Sequence, residues 1–113
     1  MTTFEISVLL HLVVDWVLQN DWIARNKSDL WHPAGWVHGA MHAIAMSLIF
    51  PLPVAAIIGL THTLIDTRVP ARLWARIYRA GGTGAYQVPV AIWRDQVFHL
   101  CVLAVAAIVT VTA

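Results

Sequence analysis

Ile49-Phe50-Pro51-Leu52-Pro53-Val54 interrupts an otherwise apolar stretch that runs from Gly35 to Asp66. Pro51 and Pro53 remove two backbone donors and hold the residues before them out of the helical region, so the stretch reads as two helices joined by a tight turn. The rival reading is a single kinked helix from Gly35 to Asp66. Outward from the turn, four apolar segments can be drawn, at about 4–20, 35–50, 53–68 and 88–111. The last is easily long enough to cross roughly 30 Å of hydrocarbon, while the middle two are slightly short and imply tilt or a thinned bilayer.

Composition points the same way. Of 113 residues, 59% are apolar and only 12% are charged, about half the charge of an ordinary soluble domain. A disordered chain and a nucleic-acid binder built on a basic surface are both excluded. The single Cys101 excludes a disulfide framework and a Cys-based zinc knuckle. Met1-Thr-Thr-Phe-Glu5 lacks a basic leader, and the apolar stretch after it carries His11 and Asp15, so it reads as a permanent first span. The expected fold is all-α, a four-helix transmembrane bundle forming one integral-membrane domain over residues 1–113.

The loops set its expected orientation. Arg68, Arg72, Arg76 and Arg79 recur at helical spacing, with Leu73, Trp74, Ile77 and Tyr78 between them. Segment 69–80 therefore reads as a short amphipathic helix in the headgroup plane, ended by Gly81-Gly82-Thr83-Gly84. Four spans place both long loops on one face, and all seven basic residues, Arg25, Lys27, Arg68, Arg72, Arg76, Arg79 and Arg94, belong to that side. The positive-inside rule makes that side cytoplasmic and puts both termini outside. Trp16, Trp22, Trp31, Trp36, Trp74 and Trp93 fall near the same interface, as an aromatic belt would. The bland role of the arginines is topology and contact with anionic lipid.

The polar residues inside the apolar segments carry the chemistry. The pairs are His11 and Asp15, His38 and His42, His62 and Asp66, and Asp95 and His99, each spaced i, i+4 and therefore on one helix face. Random placement of the His and Asp residues would give about one such pair, and there are four, one per segment. In an antiparallel bundle all four lie at similar depth, near the cytoplasmic face. Three buried carboxylates need cations. Five imidazoles and three carboxylates supply the ligands of a two-metal site, with zinc favoured by the imidazole share and iron or manganese left open. In a catalytic site a metal-bound hydroxide would be the nucleophile, and whichever of Asp15 and Asp95 is less coordinated would accept the proton. Gln19, Asn20 and Asn26 stand beyond the first pair, where they can orient ligands or a headgroup. Gln96 points about 100° from Asp95 and reads as a helix–helix contact. Thr61 and Thr63 read as donors to backbone carbonyls. His32, in a loop before Pro33, falls outside the ligand set.

His11-Leu-Val-Val-Asp15-Trp-Val-Leu-Gln19-Asn-Asp21-Trp-Ile-Ala-Arg-Asn26-Lys27, followed by His38-x-x-x-His42, His62-Thr-Leu-Ile-Asp66 and Asp95-Gln96-x-x-His99, resembles a family of bacterial and phage membrane proteins catalogued as domain of unknown function 3307. The resemblance covers nearly the whole chain. It brings no established activity, and it implies an inner-membrane, multi-pass protein. A weaker similarity, to membrane-bound metal-dependent hydrolases with His and Asp near helix ends, implies hydrolysis.

The sequence thus predicts a membrane-embedded dimetal protein, with a hydrolase acting on a lipid or phosphate ester at the cytoplasmic face as its leading enzymatic reading. The alternative is a noncatalytic, metal-stabilised subunit or interaction module of a larger assembly. Expected partners are membrane lipids, further copies of the chain or other membrane proteins, and no nucleic acid. A structural polar network or proton relay, and a haem or chlorin held by the imidazoles, compete with the metal site. The organic cofactors give no reason for three aspartates.

Overall fold

In a computed structural model the described residues are 1–82 and 84–112, Thr112 by its backbone alone; Thr83 of the glycine-rich break lies outside them. Helix α1 (Thr3–Leu12) begins at a capping box in which the Glu5 amide donates to Thr2 Oγ1 (3.1 Å) and the Thr2 amide to Glu5 Oε2 (2.9 Å). It runs on into a π-helical turn at Val13–Val17. Helix α2 (Asp21–Asn26) is capped by Asn20, whose Oδ1 accepts from the Ile23 amide. Helix α3 (Pro33–Met46) starts on a proline, with His32 Nδ1 accepting from the Ala34 amide. Helix α4 (Leu52–Asp66) opens at the Pro51–Pro53 pair, so the prolines start a helix and the single kinked helix is not formed. Helices α5 (Val69–Ile77) and α6 (Gln87–Thr112) complete the chain.

Helices α3 and α4 form the tightest pair, and they are antiparallel. Thr63 donates to Gly35 O at 3.3 Å and to Gly59 O at 3.2 Å, while Gly59 faces Gly39 and Ala43. A Cβ on Gly39 would collide with the Thr63 hydroxyl and would lie 2.8 Å from Gly59 O; one on Gly59 would lie 2.6 Å from Gly39 O. Only glycine permits this backbone-to-backbone crossing. Near the proline turn the interior is apolar, built from Met46, Phe50, Ala55, Ile58, Leu103 and Ala106. At the opposite end of the same helices it is lined by histidine and aspartate.

The expected four-helix transmembrane bundle is corrected here. The described chain builds six α-helices, and of these only α6, over Gln87–Val111, is by itself long and apolar enough to cross a membrane. Helices α4 and α5 qualify only jointly, and they are bent by 60° where they meet. With 14 and 15 residues, α3 and α4 rise about 21 and 22 Å, well short of a roughly 30 Å hydrocarbon core. The first apolar segment is divided between α1 and the π turn. Continuous apolar composition concealed these ends, because the turn and cap residues between helices are themselves apolar.

Candidate metal centre

Each element of the interior delivers its polar pair to one point. His11 closes α1, and the π turn carries Asp15 one step on; π turns recur at functional sites because the widened ring re-aims a side chain. His38 and His42 come from the first half of α3, His62 and Asp66 from the end of α4, and Asp95 and His99 from the first half of α6. Except for Asp95, whose side chain is 18% exposed, all are buried.

Asp15 is the hub. Its Oδ1 accepts from His38 Nε2 at 2.8 Å and His42 Nε2 at 2.9 Å, with His62 Nε2 at 3.4 Å; its Oδ2 lies 3.4 Å from His11 Nε2. Asp66 is the second centre: Oδ1 accepts from His99 Nε2 at 3.0 Å, and Oδ2 lies 3.0 Å from His62 Nε2 and 3.8 Å from Lys27 Nζ. His99 Nε2 also stands 3.5 Å from Asp95 Oδ2. The rings of His42, His62 and His99 stack in a column, with centroids 3.5 and 4.0 Å apart. All five imidazoles thus turn the same nitrogen, Nε2, toward the carboxylates.

Hydrogen bonding alone leaves this arrangement incomplete. His62 Nε2 and Asp66 Oδ2 are both buried and neither has a hydrogen-bond partner of sound geometry among the described residues, although they face each other at 3.0 Å. Asp95 Oδ1 is likewise buried without a partner. Several contacts, at 3.4 and 3.5 Å, are longer than a good N–H···O bond. Two atoms that each lie about 2.0–2.1 Å from a tetrahedral ion are separated by roughly 3.3 Å, which these contacts match. Charge gives a separate reason for cations: Lys27 is the one Lys or Arg ion-paired with the three carboxylates among the described residues.

Three overlapping groups have ligand atoms all within 4.8 Å of one another: His11, Asp15, His42 and His62; His38, His62 and Asp66; and Asp66, Asp95 and His99. The first offers four ligand atoms and each of the others three. These His and Asp clusters can coordinate metal ions.

The remaining sequence candidates fall elsewhere. Asn20 caps α2, and Asn26 Nδ2 donates to Trp22 O, so both are engaged locally. Gln19 lines a cavity beside the cluster and buries an unpartnered Oε1. Asp15 and Asp95 both line the cavity, but Asp15 accepts from two imidazoles, whereas Asp95 is the less engaged, with His99 at 3.5 Å. Two participants were not anticipated. Gln96 does bridge helices, but on the site's own residues, its Oε1 3.0 Å from His11 Nε2 and its Nε2 3.4 Å from Asp15 Oδ2. Its i, i+3 spacing to His99 was the available signal. Lys27, counted among the lipid-facing cations, reaches Asp66 instead.

A helical interior walled with His and Asp from four elements defines a helical protein with metal-binding potential. The chain matches the family described as Protein of unknown function (DUF3307) over residues 4–113, and it belongs to that family. No curated protein and no solved structure matches it.

Proposed function

We propose that this protein is a membrane-embedded, dimetal-dependent hydrolase acting on a lipid or phosphate ester at the cytoplasmic face. The observation that carries the reading is the convergence of five Nε2 atoms and three carboxylates with Lys27 as their one ion-paired Lys or Arg among the described residues. Zinc is favoured by the imidazole share, with iron or manganese as the alternatives. When bound, a pair of divalent ions supplies an acidified water and stabilises an oxyanion. Asp95, at the cavity wall with Oδ1 unpartnered, is placed to accept the proton of an attacking water. Asp15 and Gln96 hold the imidazoles of His11, His38 and His42 in place.

Membrane embedding is supported by the exterior. Helix α6 is long and apolar enough to cross, and Ile44, Leu48 and Leu52 are 71, 76 and 73% exposed although the interior beneath them is in part polar. A noncatalytic, metal-stabilised subunit is the second reading, favoured by the deep burial of the four-ligand group.

Elemental analysis of detergent-purified protein tests the metal reading. About two equivalents of zinc, iron or manganese are expected, and the His38→Ala His42→Ala double variant should lose most of them; a protein purified without chelator and free of metal would overturn it. Asp95→Asn separates the two functions. In the hydrolase it lowers turnover of a phosphate ester about 10²- to 10⁴-fold, the usual worth of a general base, at unchanged metal content measured on the same sample, which separates this loss from loss of a ligand beside Asp66 and His99. Unchanged turnover would remove Asp95 from the mechanism.

A further inference from the structure

Beside Asp15 and Asp95 lies a cavity of about 630 Å³, with Lys27, Arg68, Arg72 and Arg94 on its walls. These cations come from the end of α2, the α4–α5 junction, α5 and α6, so the fold gathers them from four places. Among the described residues none of the three arginines is ion-paired with a carboxylate; Arg94, half-buried, makes only a 3.5 Å contact to Ala80 O. Unpaired cations gathered around a half-open cleft with an apolar side raise a positive potential there. Lys27 is shared with Asp66, so the cations without a carboxylate partner among the described residues are the three arginines. Trp16, Val88, Ala91 and Ile92 supply an apolar side to the same cavity.

Arg68 sits at the bend between α4 and α5 with φ of 64°, the left-handed position that follows the C-cap of α4, as Arg79 (φ 55°) follows that of α5. This ending of α4 brings Arg68 to the cavity wall.

We infer that this cavity is a binding site for the phosphate of a phosphomonoester, held by Lys27, Arg68, Arg72 and Arg94 with its phosphorus facing Asp95 and its ester oxygen on the far side. Three arginines free of carboxylate partners among the described residues offer more donors than a phosphodiester, with two free oxygens, can fill. Guanidinium groups bind phosphate oxygens in pairs, which favours a terminal phosphate with three free oxygens. The apolar wall accepts the adjoining chain of an amphiphile. The site deepens the hydrolase reading and rests on it for its purpose, but its cations can be tested without turnover.

The experiment uses the full chain in neutral detergent micelles, titrated with phosphatidic acid, phosphatidylglycerol and soluble glycerol 3-phosphate, with metal content measured on the same samples. Phosphatidic acid should bind saturably at one equivalent and at least tenfold more tightly than phosphatidylglycerol. Arg72→Gln Arg94→Gln should weaken it at least tenfold while metal content and melting temperature hold. Arg68→Gly, which relieves the backbone while deleting the guanidinium, should weaken binding without loss of stability. If glycerol 3-phosphate binds as tightly as phosphatidic acid, the phosphate comes from a soluble ester; if only the lipid binds, the source is the membrane, and the site stands in both cases. Equal affinity for the two lipids, or affinity indifferent to the arginines, overturns it. Arginine-dependent binding by a metal-free protein would keep the site and refute the hydrolase; a metal-loaded protein without such binding would do the reverse.

Discussion

Asp15→Ala should cost about 3–5 kcal/mol of stability and empty the metal centre, the usual range for removing one partner of a buried charged network. The carboxylate accepts from His38 and His42 and stands within 3.4 Å of His11 and His62, so its loss strands donors on three helices at once. Asp15→Asn keeps the volume but replaces one acceptor oxygen by a donor that faces imidazole N–H groups. It should retain the fold better than alanine and still lose metal. Thermal melting with and without added zinc measures both effects: wild-type protein should gain stability on zinc addition by mass action, and neither variant should. A variant that melts and loads metal like wild type would remove Asp15 from its central position.

The second large effect is expected at a residue with no chemistry. Gly39→Leu should prevent α3 and α4 from closing, because its Cβ would meet the Thr63 hydroxyl and the carbonyl of Gly59, and a backbone carbonyl cannot move aside as a side-chain tip can. Overpacking costs about 1–3 kcal/mol where side chains can yield. Here the loss should be larger and accompanied by loss of metal, since His38 and His42 flank Gly39 and would be carried away from His62. Gly39→Ala is the milder test and should lower the melting temperature by several degrees. Gly81→Ala is the control, since its added Cβ meets nothing closer than 3.9 Å. Equal behaviour of Gly39→Leu and Gly81→Ala would show that the close crossing is dispensable.

Much of the site was legible because its signal is local. Four i, i+4 pairs of His and Asp state which residues share a helix face, and the proline stretch states that two of those helices fold back on one another. Burial of the pairs and the antiparallel return of α4 then bring His38, His42, His62 and Asp66 together. What could not be read was tertiary. The π turn leaves no mark in an unbroken apolar sequence. Lys27 reaches Asp66 only because the end of α2 packs on the start of α3, which lies beside the end of α4, and Gln96 meets His11 across 85 positions of chain. Helix ends were misjudged for a related reason. Ser47, Leu48 and Ile49 are as apolar in context as the helix before them, yet they form the turn, and the counted length of a span therefore exceeded the helix it contained.

Beyond the small apolar cluster near the proline turn, the interior of this protein is made largely of glycine, alanine, histidine and aspartate, while many of its leucines, isoleucines and valines face outward. Unfolding in a solvent that already wets that exterior exposes little new apolar area. The heat capacity of unfolding should then fall below the usual value of about 12–15 cal/mol/K per residue, and the stability curve should be correspondingly flat. Cooling would neither strengthen nor weaken the fold much. What temperature governs instead is the hydrogen bonding among the buried histidines and aspartates, an enthalpic hold.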